Sequence, residues 1–369
     1  MTRIHKTLAV IASCTALLLT ATACGSATAN GGNDTNNAAD SNGDAITVTA
    51  SVNQWGTLAK ELGGDLVDVN SIINSTNTEA HDYEPTTADV NRLHNATVDI
   101  VNGADYDAWA VKAAANGKAT VVNAAEAGGK KEGDNPHVWF SAEVRTKTAD
   151  AITDAYRKAM PGKADEFTKL NTSWHAKETE LEQRIAKIKE ATKGMSYGAT
   201  ESVARYLADD LGMTDRTPTG YARSIANDSE PTPGEITQFI NALKNKRISM
   251  LIFNAQEVNA TTEQITAAAK QADVPIIEVS EQMPSSYSSL LDWMSALVSA
   301  IGHTSGERFS QGNTKSAKPA KATPNTTTVH NQQTRRARLP HQGNQTRRVS
   351  YTGTGNRAPA RTARNIRIT

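Results

Sequence analysis

From Ala45 to His303 the chain alternates two periodicities. Short runs of β-branched residues are interleaved with segments whose apolar residues recur every three or four positions. "ITVTASV" predicts a strand, "WGTLAKELGG" a helix stopped by glycine, and "LVDVNSII" the next strand. "TTADVNRLHNA" then predicts a helix capped by Thr or Asp. "TVDIVNG" reads as a strand, "YDAWAVKAAANG" as a helix and "ATVVN" as a strand. This βαβα order calls for an α/β fold with mainly parallel sheets covered by helices.

A different pattern follows. Phe167, Leu170, Trp174, Leu181, Ile185 and Ile188 are spaced by 3, 4, 7, 4 and 3 residues, a single stripe on one helix. No Pro or Gly interrupts Ala164 to Glu190, so a continuous helix of about 40 Å is expected at ~1.5 Å per residue. The strand-and-helix alternation then resumes. Strands are read at "MSYGAT", "ISMLIFN" and "VPIIEVS". Helices are read at "SVARYLADDLG", Ile236 to Asn245, Thr261 to Asp273 and Leu290 to Ile301. The expected architecture is two α/β lobes (45–160 and 193–304) joined by one long helix (161–192), with a cleft between the lobes.

The two ends differ from this body. Residues 1–23 have a short basic start (Arg3, Lys6), an apolar run from Leu8 to Leu19 and then small residues, the layout of a secretory signal peptide. "TATAC" followed by "GS" resembles a bacterial lipobox, which makes Cys24 the lipidation site. Cys14, in "IASC", leaves almost no apolar segment ahead of it. Residues 24–44 hold no large apolar side chain beyond that cysteine and read as a flexible tether. Residues 305–369 lack hydrophobic period and read as a basic disordered tail: from Arg308 onward there are 13 Lys and Arg and no Asp or Glu. The formal net charge of +0 therefore sums an acidic body and a basic tail.

No cysteine follows Cys24, so any metal held by the body is held by nitrogen and oxygen. Five of the eight histidines lie in the body: His81, His94, His137, His175 and His303. His94 and His175 fall inside predicted helices among polar neighbours, as solvated or capping residues. His303 closes the last helix, where a cation suits the dipole. His81 ("HDYEP") and His137 ("GDNPHVWF") instead sit in loops beyond predicted strands, where the C-terminal edge of a parallel sheet faces the ligand crevice. Glu201 and Glu281 follow predicted strands of the second lobe in the same way. A helical His-Glu-x-x-His, which would signal a metal-dependent hydrolase, is missing, and so is the Gly-x-Gly-x-x-Gly of a dinucleotide site.

"SVNQWGTLAKELGGD", "HDYEPTTADV", "ADYDAWAVK" and "NPHVWFS" resemble, in order, the first lobe of the zinc/manganese receptors of bacterial ABC importers. "ATESVARYLADDLGM", "SEPTPGEI", "LIFNAQ" and "VSEQMPSSYSSLLDWM" resemble their second lobe. The resemblance covers Ala45 to Ile301. It implies one divalent ion, Zn2+ or Mn2+, between the lobes, with His81, His137, Glu201 and Glu281 as ligands. The fourth position is commonly aspartate in the family, and Glu278 is the alternative to Glu281. It further implies a monomeric receptor, not an enzyme, anchored by lipid on the outer face of the cytoplasmic membrane. Its partners would be an ABC permease and its ATPase, with no nucleic acid. A metal-dependent hydrolase or a surface adhesin on the same fold is the alternative. In the family Tyr83 and Glu84 would support or pack around the site, and Pro85 would open the next helix. Since imidazole binds metal only when neutral, affinity is expected to fall below about pH 6.5, the reference histidine value.

Overall fold

The computed structural model describes residues 45–306 apart from 79, 81 and 82. The expected leader with Cys24, the tether, His81 and the tail from 307 lie outside the described residues. The first lobe runs β1 (Ile46–Val52), α1 (Asn53–Gly63), β2 (Val67–Ile73), α2 (Thr87–Asn95), β3 (Val98–Val101), α3 (Ala108–Ala115), β4 (Thr120–Asn123), α4 (Ala124–Ala127) and α5 (Ala142–Ala159). Helix α6 (Ala164–Thr192) leads into the second lobe. That lobe comprises β5 (Ser196–Ala199), α7 (Arg205–Asp210), β6 (Thr214–Asp215), α8 (Thr219–Ala226), α9 (Pro233–Lys244), β7 (Met250–Asn254), α10 (Ala260–Gln271), β8 (Ile276–Val279) and α11 (Leu290–Thr304).

The two sheets have equivalent strand orders, β2-β1-β3-β4 and β6-β5-β7-β8, and every pairing is parallel. Parallel strands need crossover helices, and local chemistry starts those helices. Thr86 and Asp89 form a reciprocal capping box at α2, Thr232 and Glu235 one at α9, with Pro233 in the first turn. Pro85 therefore precedes the cap of α2 rather than opening the helix. Tyr83 packs its ring 5.0 Å from that of Trp109 and donates to Asp89.

Helix α6 is the 29-residue bridge, entered through a 3-10 turn at Pro161–Lys163. Its buried stripe is Phe167, Trp174, Glu178, Leu181, Ile185, Ile188 and Thr192, while Leu170 is only half-buried. Glu178 fills the seven-residue gap between Trp174 and Leu181 and forms a two-bond ion pair with Arg145 of α5, at 2.5 and 3.2 Å. His175 of the same helix pairs with Asp150 of α5 at 2.8 Å, so it has a specific partner rather than solvent.

The fold also differs from the expected elements elsewhere. The apolar period does not reveal helix α5, because Arg145, Thr148 and Thr153 occupy buried positions that such a period would fill. Nor does it reveal helix α8, in which Tyr221 is the one buried residue. The helix expected from Ser202 begins at Arg205, after turns at 201–204. One apolar cluster extends through both lobes by way of α1, α5, α6 and α11, and it includes Trp55, Trp139, Trp174 and Trp293. The rings of Phe140 and Trp293 meet at 5.6 Å. The lobes are thus packed together along one side, and the space between them is a recess of about 440 Å³, with His137 and Glu201 in its wall.

Candidate metal centre

The residues of the site stand at, or in the loops that follow, the C-terminal ends of parallel strands. Tyr106 follows β3, His137 lies in the loop after β4 and α4, Glu201 follows β5, Asn254 ends β7 and Glu281 follows β8. His137, Glu201 and Glu281 each present one ligand atom, and these atoms lie within 4.8 Å of one another. His137 Nε2 is 3.3 Å from Glu201 Oε1 and 3.9 Å from Glu281 Oε2. The His137 and Glu281 side chains are 2% and 1% exposed, whereas Glu201, at 16%, forms the approach from the recess.

The imidazole is oriented from behind. Asn135 Oδ1 accepts from the His137 backbone N–H at 3.0 Å and faces His137 Nδ1 at 3.1 Å. Asn135 Nδ2 donates to Ser202 O and Oγ at 2.9 and 2.8 Å, so the amide orientation is fixed by its partners. With that acceptor behind it, Nδ1 is the nitrogen that holds the proton when the ring binds a metal, and Nε2 is the one that faces the two carboxylates. The loop itself is tied to β3: Trp55 Nε1 donates to Asn102 Oδ1 at 3.0 Å, and Asn102 Nδ2 donates to Pro136 O at 2.9 Å. Tyr106, Trp139 and His137 pack edge to face, with centroids 5.0 to 5.8 Å apart.

Tyr106 is presented by a strained turn. Ala104 and Asp105 have φ of 50° and 64°, in the left-handed region that costs non-glycine residues roughly 1–2 kcal/mol. Asp107 holds this turn by accepting from the backbone N–H groups of Asn102 and Gly103 at 2.6 and 2.8 Å. Burial pushes the Asp107 carboxyl above its ordinary value, and these hydrogen bonds pull it part of the way back.

Glu281 is held from both lobes. Its Oε2 accepts from Tyr106 at 2.9 Å and its backbone carbonyl from Gln54 Nε2 at 2.5 Å, both in the first lobe. From the second lobe, Gln256 Oε1 receives the backbone N–H groups of Glu281 and Gln282 at 2.8 Å each. Asn53 bonds Met283 in both directions, at 2.7 and 3.1 Å. Asn254, which is fully buried, donates Nδ2 to Glu201 Oε2 at 2.6 Å and to Glu281 Oε1 at 3.0 Å. Two carboxylates brought this close in a buried pocket repel each other, and a dication between them and the imidazole offsets that repulsion. The donor set of one nitrogen and two acidic residues suits a borderline divalent ion.

Of the residues singled out in the sequence, the structure brings His137, Glu201 and Glu281 together. His81 lies outside the described residues. Glu278, the alternative to Glu281, is an exposed residue of β8 and is not in the group. His94 sits in the last turn of α2 and His303 in that of α11. The sequence does not single out Asn254, Tyr106, Asn135, Gln54 and Gln256 as site residues, although each stands in one of the quoted motifs: Gln54 in the first turn of α1, the others at a strand end or in a loop. Their signal was an uncharged polar residue beside a buried strand terminus.

Two α/β lobes on a linking helix, with acidic and imidazole side chains converging where strand ends face each other, define the class of two-lobed metal-binding receptors. The chain belongs to the family described as the periplasmic component A of zinc-uptake complexes, whose model matches residues 48–303. This is a family of metal-binding solute receptors rather than of enzymes. Zinc-binding proteins AdcA of Streptococcus pyogenes serotypes are 27% identical over 148 residues. That match is 39% of this chain and 27% of theirs, so it spans about a quarter of the length of those relatives. The fold resembles the crystal structure of ZnuA (TM-score 0.58, 19% identity, 71% of this chain and 99% of that one). It also resembles the periplasmic zinc-binding protein TroA of Treponema pallidum (0.61, 16%, 71% and 99%). A manganese-bound mutant of a periplasmic metal-binding protein from Candidatus Liberibacter asiaticus is similar as well (0.56, 18%, 70% and 98%). At these identities the likeness is one of fold.

Proposed function

We propose that the protein is an extracytoplasmic receptor that binds one Zn2+ or Mn2+ ion between its lobes and delivers it to the permease and ATPase of an ABC importer. The observation that carries this reading is the convergence of His137 Nε2 with one oxygen each of Glu201 and Glu281, drawn from both lobes. His81 is proposed as the second imidazole. Two neutral imidazoles and two carboxylates would give the bound dication an uncharged site, which a buried position demands. Lipidation at Cys24 would hold the receptor on the outer face of the cytoplasmic membrane, with residues 24–44 as the tether. The name of the AdcA relatives and the family description support zinc as cargo; the manganese-bound neighbour keeps Mn2+ alongside it.

Elemental analysis and isothermal titration of the purified chain test this. One equivalent of zinc or manganese is expected. Alanine at His81, His137, Glu201 or Glu281 should abolish tight binding, while Glu278→Ala should bind as the parent does. A folded protein that takes up neither ion would refute the reading.

A further inference from the structure

Asn254 touches both acidic residues of the site and has a feature that its position alone does not require. It is fully buried, and its backbone N–H donates to Thr200 Oγ1 at 3.0 Å. Its Oδ1 accepts from the backbone N–H of Gln256 at 3.1 Å, which fixes the orientation of the amide. The Nδ2 group must then face the carboxylates. It donates to Oε2 of Glu201 at 2.6 Å and to Oε1 of Glu281 at 3.0 Å. In each acid, the oxygen turned toward His137 Nε2 is the other one: Glu201 Oε1 at 3.3 Å and Glu281 Oε2 at 3.9 Å. Tyr106 adds a second bond to Glu281 Oε2, at 2.9 Å.

We propose that Asn254 is a specificity-determining residue that restricts Glu201 and Glu281 to one coordinating oxygen each, so that the site favours four-coordinate zinc over manganese. The inference rests on the metal-receptor reading above and narrows its cargo. A carboxylate chelates through both oxygens only when both face the ion. Here the two N–H bonds of one rigid amide hold the far oxygen of each acid away from it. To chelate through both oxygens, either acid would have to turn its carboxylate plane toward the ion and so strain a buried, charge-assisted hydrogen bond from the amide. Zinc is satisfied by four ligands at about 2.0–2.2 Å. Manganese favours six oxygen-rich contacts, and two acids limited to one oxygen apiece supply too few. The usual divalent affinity order already places zinc above manganese; the amide bracket widens that gap.

The test has two arms on the full-length protein. X-ray absorption on the zinc-loaded parent should show four first-shell N/O atoms near 2.0 Å; five or six would overturn the proposal without any variant. Competitive titration with Zn2+ and Mn2+ should show Asn254→Leu losing zinc affinity by about 10–100-fold, the usual effect of a lost outer-shell partner. Manganese should lose less, so the zinc-to-manganese ratio should fall about tenfold. Asn254→Asp, which keeps an oxygen for Gln256, should lower the ratio in the same direction. An unchanged ratio in folded variants would overturn the role of Asn254 while leaving the receptor reading intact. A folded parent that binds neither ion would refute the receptor reading itself.

Discussion

Asp99 lies in the middle of β3, between Thr49 of β1 and Val121 of β4, and is completely buried. It points to the same side of the sheet as Val101, whose cluster contains Leu93, Ala110, Ala113 and Ala114 beneath α2 and α3. Neither carboxyl oxygen has a hydrogen-bond partner among the described residues. Burial pushes the group up to about 7 from an ordinary 3.8. The folded protein therefore retains a proton that the unfolded chain releases, and stability falls as pH rises from about 4 to about 7. Each pH unit in that window costs about 1.36 kcal/mol, so the loss between pH 5 and pH 8 is on the order of 2–3 kcal/mol. Asp99→Asn carries no ionisable proton and should escape the loss. The assay is urea denaturation of the metal-free parent and variant at both pH values. The variant should gain roughly 2–3 kcal/mol on the parent in going from pH 5 to pH 8. A difference between them that is the same at both pH values would show that Asp99 does not hold its proton in the folded state.

Three further outcomes are expected. Glu178→Ala leaves the buried Arg145 guanidinium without its carboxylate, and calorimetry should register a loss of about 3–5 kcal/mol. Asn135→Ala removes the acceptor facing His137 Nδ1 and should weaken metal binding about 10–100-fold, while Asn135→Asp, which retains an acceptor oxygen, should preserve most of it. Protons compete with the ion for imidazole and carboxylate donors, so metal affinity should weaken as pH is lowered from 7.5 to 5; constant affinity over that range would contradict a histidine ligand.

The order of strands and the bridging helix could be read because backbone periodicity is set locally. The stripe from Phe167 to Ile188 appears as the buried face of α6, and its one gap is filled by Glu178. Helix α5 is not legible in the apolar period because its buried positions include two threonines and Arg145, whose guanidinium becomes acceptable there only through Glu178, 33 residues away. The site was legible in the same measure. His137, Glu201 and Glu281 stand after strands, and parallel topology carries such positions to a common edge. Asn254, Gln256 and Tyr106 are not assignable from the sequence, because their roles depend on bonds across 25 to 175 residues of chain. Nor did the pattern show that the lobes meet through an apolar contact such as Phe140 on Trp293.

The most direct measurement is anomalous diffraction at the zinc edge from crystals of the zinc-loaded protein. One strong peak is expected about 2.0–2.2 Å from His137 Nε2 and from one oxygen each of Glu201 and Glu281. A peak bonded to other side chains, or no peak in a folded protein soaked with zinc, would contradict it.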